Sequence, residues 1–137
     1  MKSFAGKLTG VTVNICDDKE EWPPYTYFER DSLGKPMNKI IGMTVDIAED
    51  ILKKEGATTS VELLPWARCQ EAIKKGVNYQ MALNASYSKK REDEYVMSKN
   101  IYEASSVYFY IKKKFPEGPE IKTIADFKKY QVCGLLG

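Results

Sequence analysis

The stretch Asn84-Ala-Ser86-Tyr-Ser88-Lys-Lys-Arg91-Glu gathers small polar side chains and one guanidinium in a short span. It follows an apolar, strand-like run, Tyr79-Gln-Met-Ala-Leu83, and leads into a segment able to start a helix. Such a junction suits a carboxylate. Helix-start N–H groups point outward, the dipole there is positive, and a guanidinium can grip both carboxylate oxygens. The chemistry implied is capture of a small anion or an amino acid. The plainer alternative is a capped helix with a surface arginine.

Other chemistries fall away on composition. The chain has no histidine, so Ser-His-Asp and Cys-His catalysis and His-based metal sites are excluded within it. Three cysteines, Cys16, Cys69 and Cys133, are widely spaced and form no CxxC pair, which argues against zinc. The 21 basic and 19 acidic residues leave a net charge of +2 with no basic block beyond Lys112-Lys-Lys114, so no nucleic-acid partner is expected. No run of about 18 apolar residues could span a membrane. Met1-Lys-Ser-Phe-Ala-Gly-Lys-Leu lacks the apolar core of a signal peptide, which by itself leaves the cellular address open. At 137 residues with 43% hydrophobic content, the chain is long and apolar enough for one ordinary core.

The elements that must position Asn84–Arg91 follow from periodicity. Leu8 to Cys16 alternates around Val11, Val13 and Ile15 and predicts a strand. Asp17 to Tyr25, with Pro23-Pro24, predicts an extended polar loop. Tyr25 to Phe28 reads as a short strand, and Arg30 to Pro36 as a turn or hairpin tip. Gly42 to Glu55 is the clearest helix, with Met43, Ile47, Ile51 and, one register over, Val45, Ala48 and Leu52 making a broad apolar face closed by Gly56. Thr58 to Leu64 predicts a second strand stopped by Pro65, Trp66 to Lys75 a second helix ended by Gly76, and Tyr79 to Leu83 a third strand. Ser88 can cap a helix over Lys89 to Glu94. Further strands are expected at Glu94 to Met97 and Ser105 to Lys112, a helix capped by Thr123 with Asp126, and another strand from Gln131 to Leu136.

Strand, helix, strand, helix, strand predicts an α/β lobe with a mostly parallel sheet flanked by helices and joined by right-handed crossovers. Ligands in such sheets collect beyond the carboxyl ends of the strands. The loops Asp17 to Tyr25, Pro65 to Arg68 and Asn84 to Arg91 would meet on that rim.

In this order and spacing the motifs resemble those of the bacterial extracytoplasmic solute-binding proteins of the polar amino acid uptake type. Trp22-Pro-Pro-Tyr25 is similar to the aromatic-Pro loop after that family's first strand. Ile41-Gly-Met-Thr-Val-Asp46-Ile-Ala resembles its "G-(F/M)-x-x-D-(I/L)" helix opening, and Pro65-Trp-Ala-Arg68 with Gly76 a subgroup's "PW-x-R…G". Ser86-Tyr-Ser-Lys-Lys-Arg91 with Met97-Ser and Ile101-Tyr102 resembles "T-x-x-R…F-S-x-P-Y". Ile121 to Tyr130 resembles the element leading into a second lobe, and Val132 to Gly137 that lobe's opening strand and glycine turn. One departure is Tyr79, where the family tends to have aspartate; it bears on local capping.

The resemblance implies a two-lobed periplasmic-binding-protein-like fold. Residues 1–7 would be a tail, 8–114 the first lobe, and 115–137 the linker helix and opening strand of a second. It implies a non-enzymatic periplasmic protein that binds an amino acid or similar small carboxylate, without cofactor or metal, for a membrane transporter permease. Arg91 would pair with the ligand α-carboxylate, Ser86 would offer hydroxyl and N–H to it, Asn84 would meet the ammonium, and Trp22 would stack on the ligand side chain. Arg68 would face the cleft or pair with Asp17 or Asp18. Trp66 reads as a core cover at the start of its helix. Without a closing second lobe, binding would be weak. An open sheet edge would invite a homodimer or a swapped dimer. The same lobe also suits a sensor domain of a signalling protein, or a dehydratase or murein lyase built on this fold. In a 2-1-3 strand order, Cys16 and Cys69 lie on neighbouring strand ends. A Cys16–Cys69 disulfide and two buried thiols both remain open.

Overall fold

A computed structural model describes residues 6–105 and 107–133. These pack as two compact units that divide between Lys99 and Asn100.

In the first unit, β1 (Thr12–Asp18) is the centre of a three-stranded sheet, order β4-β1-β5, with β4 (Thr58–Leu64) and β5 (Met81–Ala82). Both neighbours run parallel to β1, Thr12 facing Thr58 and Cys16 facing Ala82. The β-branched alternation of Val13, Ile15, Thr59 and Val61 explains the long β1–β4 ladder. β5 is cut short because the Gln80 side-chain oxygen, 3.0 Å away, takes the N–H of Asn14 in place of a backbone carbonyl. β1 begins later than the alternation from Leu8 predicts. Residues 7–10 form a turn, and Leu8 donates instead to Glu55 O at 2.8 Å. β1 also runs on through Asp17 and Asp18, into the predicted loop.

Between β1 and the first helix lies an antiparallel hairpin, β2 (Tyr27–Arg30) and β3 (Pro36–Ile41). Its turn forms because Asp31 Oδ1 accepts from the N–H groups of Leu33 and Lys35 at 2.8 and 2.9 Å. β3 carries too little alternation to be read as a strand in advance.

α1 (Met43–Lys54) covers one face of the sheet and α2 (Trp66–Lys75) the other. Ile15, Val45, Ala48 and Leu83 form the buried core, with Val13, Ile40, Leu52, Val61 and Met81 packed around it. Only one of the two apolar registers of α1 is used: Val45 and Ala48 are buried, whereas Met43 and Ile51 stay exposed. A sheet of three strands covers one helical stripe, not two. α2 ends on Gly76 in the left-handed region (φ 64), as its sequence predicts.

α1 has no side-chain cap. Its first N–H groups are taken by loop carbonyls, Met43 N–H to Pro24 O at 3.0 Å and Thr44 N–H to Tyr25 O at 3.1 Å. Gly42 (φ 137) allows this approach, because a Cβ there would lie 2.1 Å from Tyr25 O. The Pro23–Pro24 peptide of the same loop is cis.

A short helix, α3 (Lys89–Glu94), closes the first unit and is capped by Ser88, whose Oγ accepts from Arg91 N–H at 3.2 Å. The strand expected at Glu94 to Met97 is absent. Glu94 ends α3, and Tyr95 instead donates its hydroxyl to Gln70 O at 3.4 Å.

In the second unit, the described residues between Ser105 and Lys112 form no strand. Val107, Phe109 and Ile111 are exposed and have no ladder to join; Ser106 lies outside the described residues. Thr123 and Asp126 do form the expected capping box, but on a 3-10 helix, Ile124–Lys129. Edge-to-face contacts join Tyr108 to Phe127 and Phe115 to Tyr130. Gln131 to Cys133 are not in a strand, and the remainder of that predicted strand and glycine turn, residues 134–137, lies outside the described residues.

Candidate functional site

Leu83 is buried at the end of β5, and the next residue turns the chain out of the sheet. That residue, Asn84, sits in the left-handed region (φ 55), where asparagine is tolerated better than branched side chains. The turn delivers Ser86 and the capped start of α3 to the strand-end rim. Arg91 is half-buried there, and its Nη1 donates to both Ser86 O and Ser86 Oγ at 2.8 Å. The guanidinium carbon lies 5.7 Å from the centroid of Trp66. Arg91 and Ser86 are therefore brought together, with an aromatic face beneath the cation. Among the described residues, Arg91 Nε and Nη2 donate to no protein acceptor. A guanidinium oriented by its own loop, with donors to spare, can accept a carboxylate without rearrangement.

Trp66, expected to cover the core, is not among the side chains packed on the Ile15–Val45–Ala48–Leu83 cluster. It stands at the first position of α2, half-buried and under Arg91. Its position beside the rim loops was the available signal; the stacking partner was not legible.

Asn84 has a different role from the one expected. Its Nδ2 donates to Asp17 Oδ2 at 2.5 Å and to Thr26 Oγ1 at 2.7 Å, so the side-chain amide is turned into the protein. Asp17, expected at the start of an extended polar loop, is 3% exposed. Its Oδ1 accepts from Asp18 N–H at 2.8 Å. Burial pushes this carboxyl above its usual range, and the bonds from Asp18, Thr26 and Asn84 offset part of that rise. The polar cluster continues inward. Thr26 and Thr44 hydroxyls are 3.0 Å apart, and Thr44 Oγ1 donates to Tyr25 O at 2.9 Å. Among the described residues no buried side-chain polar atom is left without a partner. The period-2 pattern could have found Asp17, since it shares a face with Val13 and Ile15.

Trp22 lies on the β1–β2 loop and is 52% exposed. Its N–H donates to Thr26 O at 2.7 Å, which ties the loop to the Thr26–Asn84 cluster. Beside it, Glu21 occupies the left-handed region (φ 62). Its carboxylate accepts from Phe28 N–H at 3.1 Å and from Arg30 Nη2 at 2.9 and 2.7 Å. The Trp22 loop is thus held to the hairpin by a carboxylate that no motif marks.

Arg68 does not join this group, and neither Asp17 nor Asp18 pairs with it. It is exposed on α2, where its charge acts on the Tyr79 hydroxyl. Tyr79 donates to Glu62, and that bond raises the phenol above its usual range. Asn14, Ser60, Glu62, Val77, Asn78 and Tyr79 line an open concavity of about 350 Å³ on the α2 side. It contains none of the rim residues, so it is a separate feature from the Arg91 site. Cys16 and Cys69 are joined as a disulfide, Cα atoms 5.7 Å apart, which fixes α2 under the rim. Cys133 is free and exposed. Among the described residues, no group of three His, Cys, Asp or Glu could hold a metal ion, and no helix is long and apolar enough to cross a membrane.

The family model for bacterial extracellular solute-binding proteins, family 3, matches residues 5–129. No curated protein and no solved structure matches the chain.

Proposed function

The chain belongs to the bacterial extracellular solute-binding proteins, family 3, and has their periplasmic-binding-protein fold; from that premise we propose that its ligand is an amino acid or similar small carboxylate. The observation that supports this most is the Arg91 guanidinium, oriented by Ser86 over Trp66 with Nε and Nη2 still available. In this reading, those donors and the Ser86 hydroxyl hold the ligand carboxylate. Trp22 flanks the ligand side chain from the neighbouring loop. Asn84 shapes the site through its backbone, and Arg68 contributes only charge from outside it. The protein acts by binding, in the periplasm, and passes its ligand to a membrane permease.

The test is a thermal-shift screen of the common L-amino acids and small dicarboxylates on this chain, repeated with Arg91→Ala. The reading expects stabilisation of the parent by at least one of them. A guanidinium–carboxylate contact contributes about 1.5–3 kcal/mol, so Arg91→Ala should weaken binding by about tenfold to a hundredfold. Equal stabilisation of both proteins would remove Arg91 from the site. Turnover of any of these compounds would overturn a binding-only role.

A further inference from the structure

We propose that Asp17 is a positioning residue: through Asn84 it holds the loop bearing Ser86 and Arg91 in place. The inference rests on the binding role of that loop for its functional meaning, while the clamp itself rests on geometry alone.

Three observations carry it. Asn84 is a non-glycine residue at positive φ, a conformation that persists only where its surroundings fix it. Its amide is fixed from two sides, by Asp17 at 2.5 Å and Thr26 at 2.7 Å. Asp17 is 3% exposed on the central strand, so the anchor belongs to the least movable part of the sheet. A buried carboxylate is costly to keep in a core. Leucine or valine would pack there more cheaply, and the acid supplies something they cannot: an acceptor for the amide that sets the turn. The other carboxylate oxygen is also occupied, by Asp18 N–H at 2.8 Å. Both oxygens of Asp17 therefore accept.

That arrangement dictates the test. Asp17→Ala removes both acceptors and breaks the clamp, with no turn of the Asn84 amide able to restore it. The pair Asp17→Asn with Asn84→Asp instead reverses the polarity. The amide introduced on β1 would then donate to the carboxylate introduced in the turn, and keep its own oxygen for Asp18 N–H. The Thr26 hydroxyl would turn its one proton from Thr44, whose own proton goes to Tyr25 O, to that same carboxylate. Aspartate also tolerates the left-handed turn.

Hydrogen–deuterium exchange on the 137-residue chain reads the outcome without any ligand. Asp17→Ala is expected to speed exchange of the hydrogen-bonded amides of Arg91, Glu92 and Tyr95 by about tenfold while β1 and β4 stay protected. The reciprocal double variant is expected to return it to within about threefold of the parent. Unchanged exchange in Asp17→Ala overturns the proposal. So does a double variant as loose as the single one, or failure of both to fold, which would make Asp17 core structure rather than a clamp for this loop. Should Asp17→Ala alone fail to fold, a folded double variant with parental protection supports it. The amino-acid screen on the same proteins separates the two claims. If no amino acid stabilises the parent, the binding role of the loop fails, while the exchange data still decide the clamp.

Discussion

Asp17 and Arg91 show two opposite uses of charge at one strand-end rim. Arg91 is half-buried, with its cation spread over Trp66 and donors to spare. Asp17 is enclosed, and its ionised form is disfavoured by burial. The sign follows from linkage. An acid whose folded pKa is raised contributes most to stability when protonated, below its unfolded value near 3.8. That contribution is lost as pH rises through the higher folded value. A carbon-detected titration of the aspartate carboxyls should therefore show one midpoint above the ordinary range, assigned to Asp17 by its loss in Asp17→Asn. A midpoint at or below 3.8 would contradict the burial argument. That Arg91 and Ser86 lie together was legible in the sequence because both fall in one short strand-to-helix junction. Asp17 was not, because two acids before Pro23-Pro24 look like a solvated loop. Only the inward phase of Val13, Ile15 and Asp17 betrayed it.

At the scale of elements, α1, β4, α2 and α3 follow the sequence within a residue or two, since each has a clear period and a stop or cap. The misreadings share a cause. A strand is half of a pair, and local sequence does not say whether a partner exists. β5 shrinks because a side chain replaces its ladder bond, β3 exists because β2 is beside it, and the alternating run around Phe109 pairs with nothing among the described residues. The same logic makes the Cys16–Cys69 bond an element-level device, because it joins the central strand to α2 across a sequence separation of 53. In the loop-entropy model a loop of that length contributes about 4 kcal/mol. Cys16→Ala with Cys69→Ala should lower the urea-unfolding free energy by up to that amount, with a steeper slope because the uncrosslinked chain unfolds to a more open state. Thiol titration of the denatured, unreduced parent should find a single free thiol, Cys133; three would refute the bridge.

The two compact units differ in how much each buries. The first has a sheet, two long helices and a buried core. Among the described residues from 100 to 133 none is fully buried, and the only regular element is a 3-10 helix. Local stability follows buried contacts, so limited trypsin digestion should cut first after lysines in 112–129. A resistant fragment ending near Lys99 should remain. First cuts within α1 or α2 would contradict this ranking. The left-handed turn at Asn84 carries a last consequence for the chain's history. Its root is locked into the sheet, while the tip, Ala85 to Lys90, is not part of the buried core. On the proposed binding role, substitutions at the tip would alter what is recognised while the fold stays closed.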